Sequence, residues 1–310
     1  MELIRGLHNL KPRHRGSVAT IGNFDGVHLG HQAVLGQLAE KGAELCLPTV
    51  VITFEPLSRE YFAPESAPPR LTRFREKVKA MQRYSVDRML VLPFNRKLAG
   101  LSAEAFIRQV LVKGLGIRYL VVGDDFHFGA GREGDFAMLQ KAGRDYGFDV
   151  VNMHTLSLNG ERVSSTRIRE ALQNGYLEIA EQLLGRPYRM CGRVVHGDQR
   201  GRSIGFPTAN IRMHRIVAPV DGVFAVEMFG IKGEPLPGVA NVGKRPTVDG
   251  TRSLLEVHLF DFSGDLYGRH VQVDFLKRIR PEKRFESFEA LKQQIEKDSS
   301  EARRFFEERH

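Results

Sequence analysis

Two histidines stand three residues apart in the segment TIGNFDGVHLGHQAVL, which runs from Thr20 to Leu35. A β-rich apolar run precedes them and a helical pattern follows, so the sequence predicts a helix that opens at Gly30, with His28 just outside it and His31 in its first turn. The free N–H groups of such a helix start attract anions. Imidazole donors aimed at a bound phosphate stabilise charge that grows in a transition state. We therefore interpret both histidines as catalytic residues of a nucleotide phosphate site.

Other roles for this histidine pair stay open at this stage. Histidines near helix starts are commonly structural, and an H-x-x-H spacing also occurs in zinc sites. A third ligand at metal-site spacing is not evident, which disfavours zinc. Gly22, Asn23, Gly26 and Gly30 surround the pair at the junction of strand and helix. Glycines in such a loop let backbone N–H groups close on a phosphate, which favours the anion site.

A second segment, VSSTRIREAL, offers cations to the same kind of ligand. Ser165 or Thr166 is predicted to cap a helix whose first turn carries Arg167 and Arg169. Cations are unfavourable at a helix N-terminus, and an anionic ligand explains their presence there. The alternative is a surface helix with scattered arginines.

The segment GDDFHFGAGREGD follows another β-rich run. Phe126 and Phe128 have rings that can stack on a planar heterocycle, and Asp125 can accept hydrogen bonds from one. An ordinary turn with core phenylalanines is the alternative.

A different phosphate site is predicted in HGDQRGRSIGFPTANI, residues 196–211. Its glycines, together with Arg200 and Arg202, suit phosphate, and the Thr208 hydroxyl and Asn210 amide oxygen are hard ligands suited to Mg²⁺. The spacing is not that of a Walker A loop. A Gly/Pro-rich hairpin loop without a ligand is the alternative.

Glu256 is the one carboxylate in the apolar run LLEVHLF. Phosphorylation of an alcohol needs a group that orients or deprotonates the hydroxyl, and a carboxylate can do this. Its other interpretation is an outward-facing position between Leu255 and Val257 in an alternating strand.

The elements that must position these residues differ between the two halves of the chain. From Ser17 to about Leu184, β-rich runs alternate with helical patterns, which predicts a doubly wound, Rossmann-like parallel sheet with ligands beyond the carboxyl ends of its strands. After LLGRPY, short β-rich runs separated by glycine and proline predict a small antiparallel barrel and a C-terminal helix. The predicted domains are residues 1–184 and 185–310, and EPLSREYFAPESAPPRLT is predicted as a flap or connection.

Composition and charge restrict the class of protein. The chain has 310 residues, 42% hydrophobic and 27% charged, without a run that could span a bilayer or a signal-type start, so we expect a cytoplasmic protein with no membrane partner. Two cysteines argue against a disulfide framework. The net charge of +9 divides evenly between the halves without a dense basic tract, which favours small polyanions over nucleic acid.

The motifs resemble a known family. GNFDGVHLGH, GDDFHFG and SSTRIR look like the adenylyltransferase module of bacterial bifunctional riboflavin kinase/FMN adenylyltransferases, also called FAD synthetases. The H-x-G-H motif alone leaves cytidylyltransferases and pantetheine-phosphate adenylyltransferases open. GRSIGFPTANI, GVANVGKRPTV, LEVHLFDFSGDLYG and the final helix are similar to the riboflavin kinase module of the same family. The resemblance covers essentially the whole chain, with both modules in the family's order.

This resemblance implies two reactions and assigns residues to them. Riboflavin would be phosphorylated by ATP to FMN in the C-terminal half, and FMN would be adenylylated by ATP to FAD in the N-terminal half. The kinase base would be Glu256, and Mg²⁺ would be held by Thr208 and Asn210. The adenylyltransferase would bind ATP through Gly22, Asn23, Phe24, His28, His31, Ser165, Thr166 and Arg169, and flavin through Asp125, Phe126 and Phe128. The kinase would bind ATP through Gly197, Arg202, Gly205, Pro207, Thr208 and Asn210.

Two positions depart from the family's pattern. Leu57 and Ser58 follow TFEP where many members have His-Pro, and Lys244 stands where threonine is common. The expected partners are small molecules, and the chain is expected to be a monomer or weak homo-oligomer. Two other hypotheses stay open: an enzyme in which one module alone is active, and a regulator that binds flavin or nucleic acid.

Overall fold

The computed structural model describes residues 1–153, 155–197, 205–215, 217–247 and 250–309. The chain forms two compact units, residues 1–68 with 72–164, and residues 69–71 with 165–310. The predicted domain limits at residues 184 and 185 stay a prediction, because a compact unit and a family module need not end at the same residue. In the described part of the chain, no helix has the length and apolar character needed to cross a membrane.

The first unit is built on a parallel sheet. Its strands are β1 (Glu2–Arg5), β2 (Val18–Ile21), β3 (Thr49–Glu55), β4 (Arg88–Pro93), β5 (Tyr119–Gly123) and β6 (Asp149–Met153). They lie in the order β1-β4-β3-β2-β5-β6, and every neighbouring pair is parallel. The chain therefore winds outward in both directions from β2, as predicted. Two short strands, β7 (Ser157–Leu158) and β8 (Glu161–Arg162), form a separate hairpin.

Helices cover both faces of this sheet. They are α1 (Leu29–Leu45), α2 (Ser58–Phe62), α3 (Phe74–Met81), α4 (Arg96–Ala99), α5 (Ala103–Phe106), which continues as a π-helical segment (Ile107–Leu115), and α6 (Phe136–Tyr146). Alternate strand residues feed two hydrophobic clusters, one against α1 and α3 and the other against α5 and α6. The segment predicted as a flap includes α2, whose Glu60 carboxylate accepts a hydrogen bond from the Leu57 N–H at 2.9 Å.

The second unit begins with two helices, α7 (Ser165–Asn174) and α8 (Leu177–Leu184). The strands that follow are β9 (Tyr188–Val195), β10 (Ala209–Arg212), β11 (Gly222–Phe229), β12 (Leu236–Thr247), β13 (Gly250–Leu259) and β14 (His270–Arg280), and the last helix is α9 (Phe288–Arg309). The strands close into an antiparallel barrel in the order β10-β13-β12-β11-β14-β9. Both the barrel and the C-terminal helix were predicted, and the structure confirms them.

The C-terminal helix α9 is fastened to the barrel by apolar packing and by one buried ion pair. Ala302 and Phe306 of α9 join a cluster with Val223 of β11. The Arg280 guanidinium donates to the Asp298 carboxylate at 2.9 and 3.0 Å. Since Asp298 is almost fully buried, this pair fixes the position of α9 along the barrel.

Candidate active sites

The histidine pair lies where β2 passes into α1. The helix begins at Leu29, one residue earlier than predicted, and His28 is its N-cap: its Nδ1 accepts a hydrogen bond from the His31 N–H at 3.3 Å. The two rings stack, with centroids 3.6 Å apart and an interplanar angle of 20°. Gly30 leaves room for this arrangement, because a Cβ there would lie 3.3 Å from two atoms of the His28 ring. A neutral His28 that accepts at Nδ1 carries its proton on Nε2.

The surroundings of His31 keep its ring uncharged. Burial is the largest cause, and the charges of His28 and Lys77 add to it; together they lower the pKa of His31 well below the ordinary value of 6.5. The Nδ1 of His31 is buried and has no hydrogen-bond partner among the residues that the structure describes. A buried ring nitrogen without a protein partner is suited to bind a ligand.

The loop between β2 and α1 has a strained backbone. Phe24 and Val27 have φ values of 49° and 46°, which are rare for residues with a side chain. The buried Asp25 carboxylate holds the loop by accepting hydrogen bonds from the Thr72 N–H and hydroxyl, at 2.8 and 3.1 Å. In return, the Gly26 N–H donates to the Thr72 hydroxyl at 3.0 Å. No local sequence signal marks Thr72, which lies 47 residues from Asp25.

The other predicted loop residues have distinct surroundings. The Gly22 N–H donates to the Ile52 carbonyl at 3.0 Å, which extends the sheet by one residue. A Cβ at Gly22 would lie 3.0 Å from the Phe24 ring, so glycine is required where that ring folds back. The Phe24 ring is buried in the core, and contact between ATP and this residue would therefore come from its backbone. The Asn23 carbonyl lies 3.5 Å from the Thr53 hydroxyl.

The predicted residues of α7 belong to the second unit, whereas the histidine pair belongs to the first. Because α7 begins at Ser165, Ser165 and Thr166 lie in its first turn, and neither of them precedes it as a cap. The Arg169 Nε donates to the Pro69 carbonyl at 2.7 Å. The joint role of these residues with the histidines stays a prediction.

The predicted flavin-binding residues follow β5. Phe128 is buried in the core, and the half-buried Phe126 ring stacks on it with centroids 5.5 Å apart. Asp125 is exposed and its carboxylate pairs with Arg162 at 2.6 Å. Phe126 is thus the ring of the two that a heterocycle can approach.

The barrel brings the two central residues of the second site together. Asn210 on β10 lies directly opposite Glu256 on β13, and Glu256 lies directly opposite Asn241 on β12. Directly opposed residues of antiparallel strands have Cβ atoms about 5 Å apart. Leu255 and Val257 are buried on either side, whereas Glu256 is half-buried, so alternation turns its carboxylate to the barrel face opposite theirs.

The segment before β10 is held by contacts that the sequence did not predict. The His258 Nδ1–H donates to the Pro207 carbonyl at 3.0 Å. The Phe206 ring packs edge-on against the His258 ring, with centroids 5.1 Å apart. His258 stands two residues after Glu256, on the same face of β13. It therefore anchors the chain next to Thr208.

Gly197, one of the predicted kinase residues, packs against the Asn210 amide. A Cβ at Gly197 would overlap that amide, so glycine is required where these two segments of the chain approach each other. Gly205 has a φ of 86°, which favours glycine. The predicted Arg202, like Arg200, lies outside the described residues.

The donor set near Asn210 fits a magnesium ion. The side chains of Thr208 and Asn210 offer hydroxyl and amide oxygens, the hard ligands that Mg²⁺ prefers, and Mg²⁺ in kinases takes its other ligands from phosphates and water. The chemistry of these two oxygen donors supports the fit, and the close packing of Gly197 against the Asn210 amide holds that amide in place. No group of three or more His, Cys, Asp or Glu residues that could hold a metal occurs in the described ranges.

A parallel α/β sheet with a histidine pair at a helix start, followed by a closed barrel with a carboxylate beside an amide, is the arrangement expected of two-part transferases that act on phosphoryl groups. Family models match both parts: FAD synthetase over residues 10–167 and riboflavin kinase over residues 184–306. The chain belongs to the family of bifunctional riboflavin kinase/FMN adenylyltransferases.

Relatives match this chain along nearly its whole length. The bifunctional riboflavin kinase/FMN adenylyltransferase of Escherichia coli (strain K12) is 55% identical over 99% of this chain and 98% of its own. That of Haemophilus influenzae is 53% identical over 99% of each chain. A crystal structure named as a macrolide-efflux protein from Streptococcus pneumoniae is 32% identical, with a TM-score of 0.82 over 96% of this chain and 97% of that one. The transport activity in its name is a statement about that protein.

Proposed function

We propose that this chain carries out two consecutive steps of flavin cofactor synthesis. Riboflavin and ATP give FMN and ADP in the barrel, and FMN and a second ATP give FAD and pyrophosphate at the parallel sheet. The observation that carries the proposal is the presence of both family modules in one chain, over residues 10–167 and 184–306. ATP, Mg²⁺, small-molecule partners, absence of nucleic acid, a monomeric or weakly associated state and a cytoplasmic location all belong to the proposal.

Adenylyl transfer requires no general base. The nucleophile is the phosphate of FMN, whose second pKa near 6 leaves it largely ionised at neutral pH. Its oxygen bonds to the α-phosphorus of ATP, and the bond to pyrophosphate breaks. His31 is uncharged because its pKa is lowered, so its ring donates one hydrogen bond. His28, whose Nδ1 accepts from the His31 N–H, donates through Nε2. Both rings relieve charge on the phosphates at the start of α1.

Phosphorylation of riboflavin requires activation of an alcohol. The Glu256 carboxylate accepts the proton of the riboflavin hydroxyl, whose oxygen bonds to the γ-phosphorus of ATP while ADP leaves. Asn210, directly opposite Glu256, and Thr208 would hold Mg²⁺. When bound, the ion neutralises charge on the transferring phosphoryl group. His258 keeps the segment that carries Thr208 in place through the Pro207 carbonyl.

The proposal is tested by incubating the purified protein with riboflavin, ATP and Mg²⁺ and separating the flavins by chromatography. We expect FMN to form first and FAD to follow. Accumulation of FMN without FAD, with no adenylylation of supplied FMN, would favour the hypothesis that the kinase module alone is active. No flavin turnover, combined with salt-dependent binding of duplex DNA or RNA, would favour the regulator instead.

A further inference from the structure

Lys77 is a buried cation beside the histidine pair. It lies on α3 and is 1% exposed. Lysine is almost never buried to this degree, because removing an ammonium group from water is costly unless nearby groups compensate its charge. No local sequence signal distinguishes Lys77 from the other charged residues of this helix.

Hydrogen bonds connect Lys77 to the loop that carries the predicted ATP-binding residues. Its Nζ lies 3.5 Å from the Thr53 hydroxyl, near the carboxyl end of β3. The same hydroxyl lies 3.5 Å from the Asn23 carbonyl. The ammonium group is therefore one side chain away from the loop between β2 and α1, at the sheet edge where ligands of parallel sheets bind.

The start of α3 is fixed relative to the same loop. Thr72, two residues before α3, is bound by the buried Asp25 carboxylate and by the Gly26 N–H. Because both ends of this connection are buried, the loop and the first turns of α3 form one rigid frame. Lys77 is held at a set position near the histidines by this frame.

Lys77 brings a positive charge to the site, which an uncharged histidine does not. The positive charge of Lys77 is one of the causes that lower the pKa of His31, which places the two groups in one electrostatic environment. An uncharged His31 donates a hydrogen bond but brings no positive charge. The triphosphate of ATP and the departing pyrophosphate carry several negative charges, which a fixed cation in a site of low dielectric constant stabilises strongly.

We propose that Lys77 supplies the fixed positive charge of the adenylyl-transfer site and strengthens the binding of the ATP phosphates and of the pyrophosphate product. The inference rests on the proposed function, because it assumes that ATP phosphates bind at His28 and His31. Lys77 is assigned as a positioning and electrostatic residue, and direct contact with substrate is not part of the assignment.

The test compares Lys77→Met with Lys77→Arg in the full-length protein, and Lys79→Met is the matched control. Lys79 lies on the same helix and is exposed, so its replacement removes an equal charge without touching the site. The primary measurement is calorimetric binding of inorganic pyrophosphate in Mg²⁺, with the part of the signal lost in His28→Ala assigned to this site. Riboflavin phosphorylation and the thermal melt of each variant report on folding.

We expect Lys77→Met to weaken pyrophosphate binding at the site by about tenfold or more. We expect Lys77→Arg to retain most of the affinity, and Lys79→Met to bind as the unchanged protein does. If Lys77→Met fails to fold, Lys77→Gln takes its place under the same criterion. A folded neutral variant with unchanged affinity, or an arginine variant as weak as the neutral one, overturns the inference.

The same experiment separates this inference from the proposed function. Adenylylation of supplied FMN is measured for the unchanged protein and for His28→Ala. If the unchanged protein makes no FAD, the proposed function fails. If it makes FAD and neutral replacements of Lys77 leave pyrophosphate binding intact, the inference fails and the proposed function stands.

Discussion

At the scale of single residues, the position of one side chain sets the chemistry of the next. His28 caps α1 and accepts a hydrogen bond from the His31 N–H, which leaves the His28 Nε2 as the ring donor when the ring is neutral. His31 stacks on that ring and is kept uncharged by burial. Each neutral ring can therefore donate one hydrogen bond, and under the proposed function this donor serves the ATP phosphates, which suits a reaction whose nucleophile is already ionised.

The lowered pKa of His31 predicts how stability depends on pH. The folded protein resists protonation of His31, whereas the unfolded chain takes up the proton near 6.5. The contribution of His31 to stability is therefore fully present above that pH and is lost as the pH falls below it, by up to about 1.4 kcal/mol per pH unit. Urea unfolding at pH 7.5 and 5.5 measures this loss of unfolding free energy. The His31→Gln variant is expected to lose less unfolding free energy between the two pH values.

The ring resonances of His31 provide the direct measurement for the same prediction. Their titration in NMR spectra should have a midpoint well below 6.5. A midpoint at or above that value would show that the ring is charged near neutral pH, and the role of His31 as a neutral donor would be wrong.

Some of these residues could be predicted from the sequence and others could not, depending on whether their partners are close along the chain. His28 and His31 were found because a helix start and its anion site are encoded within a few consecutive residues. Lys77 and Thr72 were missed because their role depends on a chain that returns to the loop from 46 residues or more away. Packing brings them there, and local spacing carries no sign of it.

At the scale of elements, the strength of the periodic pattern decided what could be predicted. The apolar runs LPTVVITF and RYLVVGDDF predict strands, which β3 and β5 confirm, whereas β1 and β6 were not predicted. β1 has four residues with charged side chains at both ends, and β6 begins with aspartate. The segment SAEAFIRQVLVKG, residues 102–114, predicts a helix. Part of that helix has π geometry over Ile107–Leu115, but its buried residues recur at intervals of three and four, as in an α-helix, so the sequence does not reveal this geometry.

The close contact between Gly197 and Asn210 of β10 predicts what adding one methyl group at residue 197 does. In Gly197→Ala the new Cβ overlaps the Asn210 amide. Displacing this group by about 1 Å is expected to lower riboflavin phosphorylation by roughly 100-fold. Adenylylation of supplied FMN is expected to stay unchanged, and both rates are measured with separate substrates.

Gly233→Ala is the control for this substitution. No atom lies within 4 Å of a Cβ placed at Gly233, so the same chemical change meets no neighbour. We expect wild-type kinase rates from it. Full kinase activity in Gly197→Ala would remove Asn210 from the phosphoryl-transfer site.

At the scale of the whole molecule, the chain forms two compact units. Helices α7 and α8 show that a sequence pattern does not tell which unit a helix belongs to. The sequence pattern changes from α/β to β near residue 184, and α7 and α8 have helical patterns typical of the first part. In the structure both helices belong to the second unit, where α8 contacts β9 and β14. Periodicity shows that a helix buries one face, but the core that receives this face depends on tertiary contacts.

The proposed assignment of phosphorylation to Glu256 and of adenylyl transfer to His28 is testable by reciprocal damage. FMN formation from riboflavin and FAD formation from supplied FMN are measured for Glu256→Gln and His28→Ala, with folding checked by thermal melts. We predict that Glu256→Gln abolishes FMN formation and retains FAD formation, and that His28→Ala does the reverse. Loss of both activities in either folded variant would contradict the division of the two reactions between the barrel and the parallel sheet.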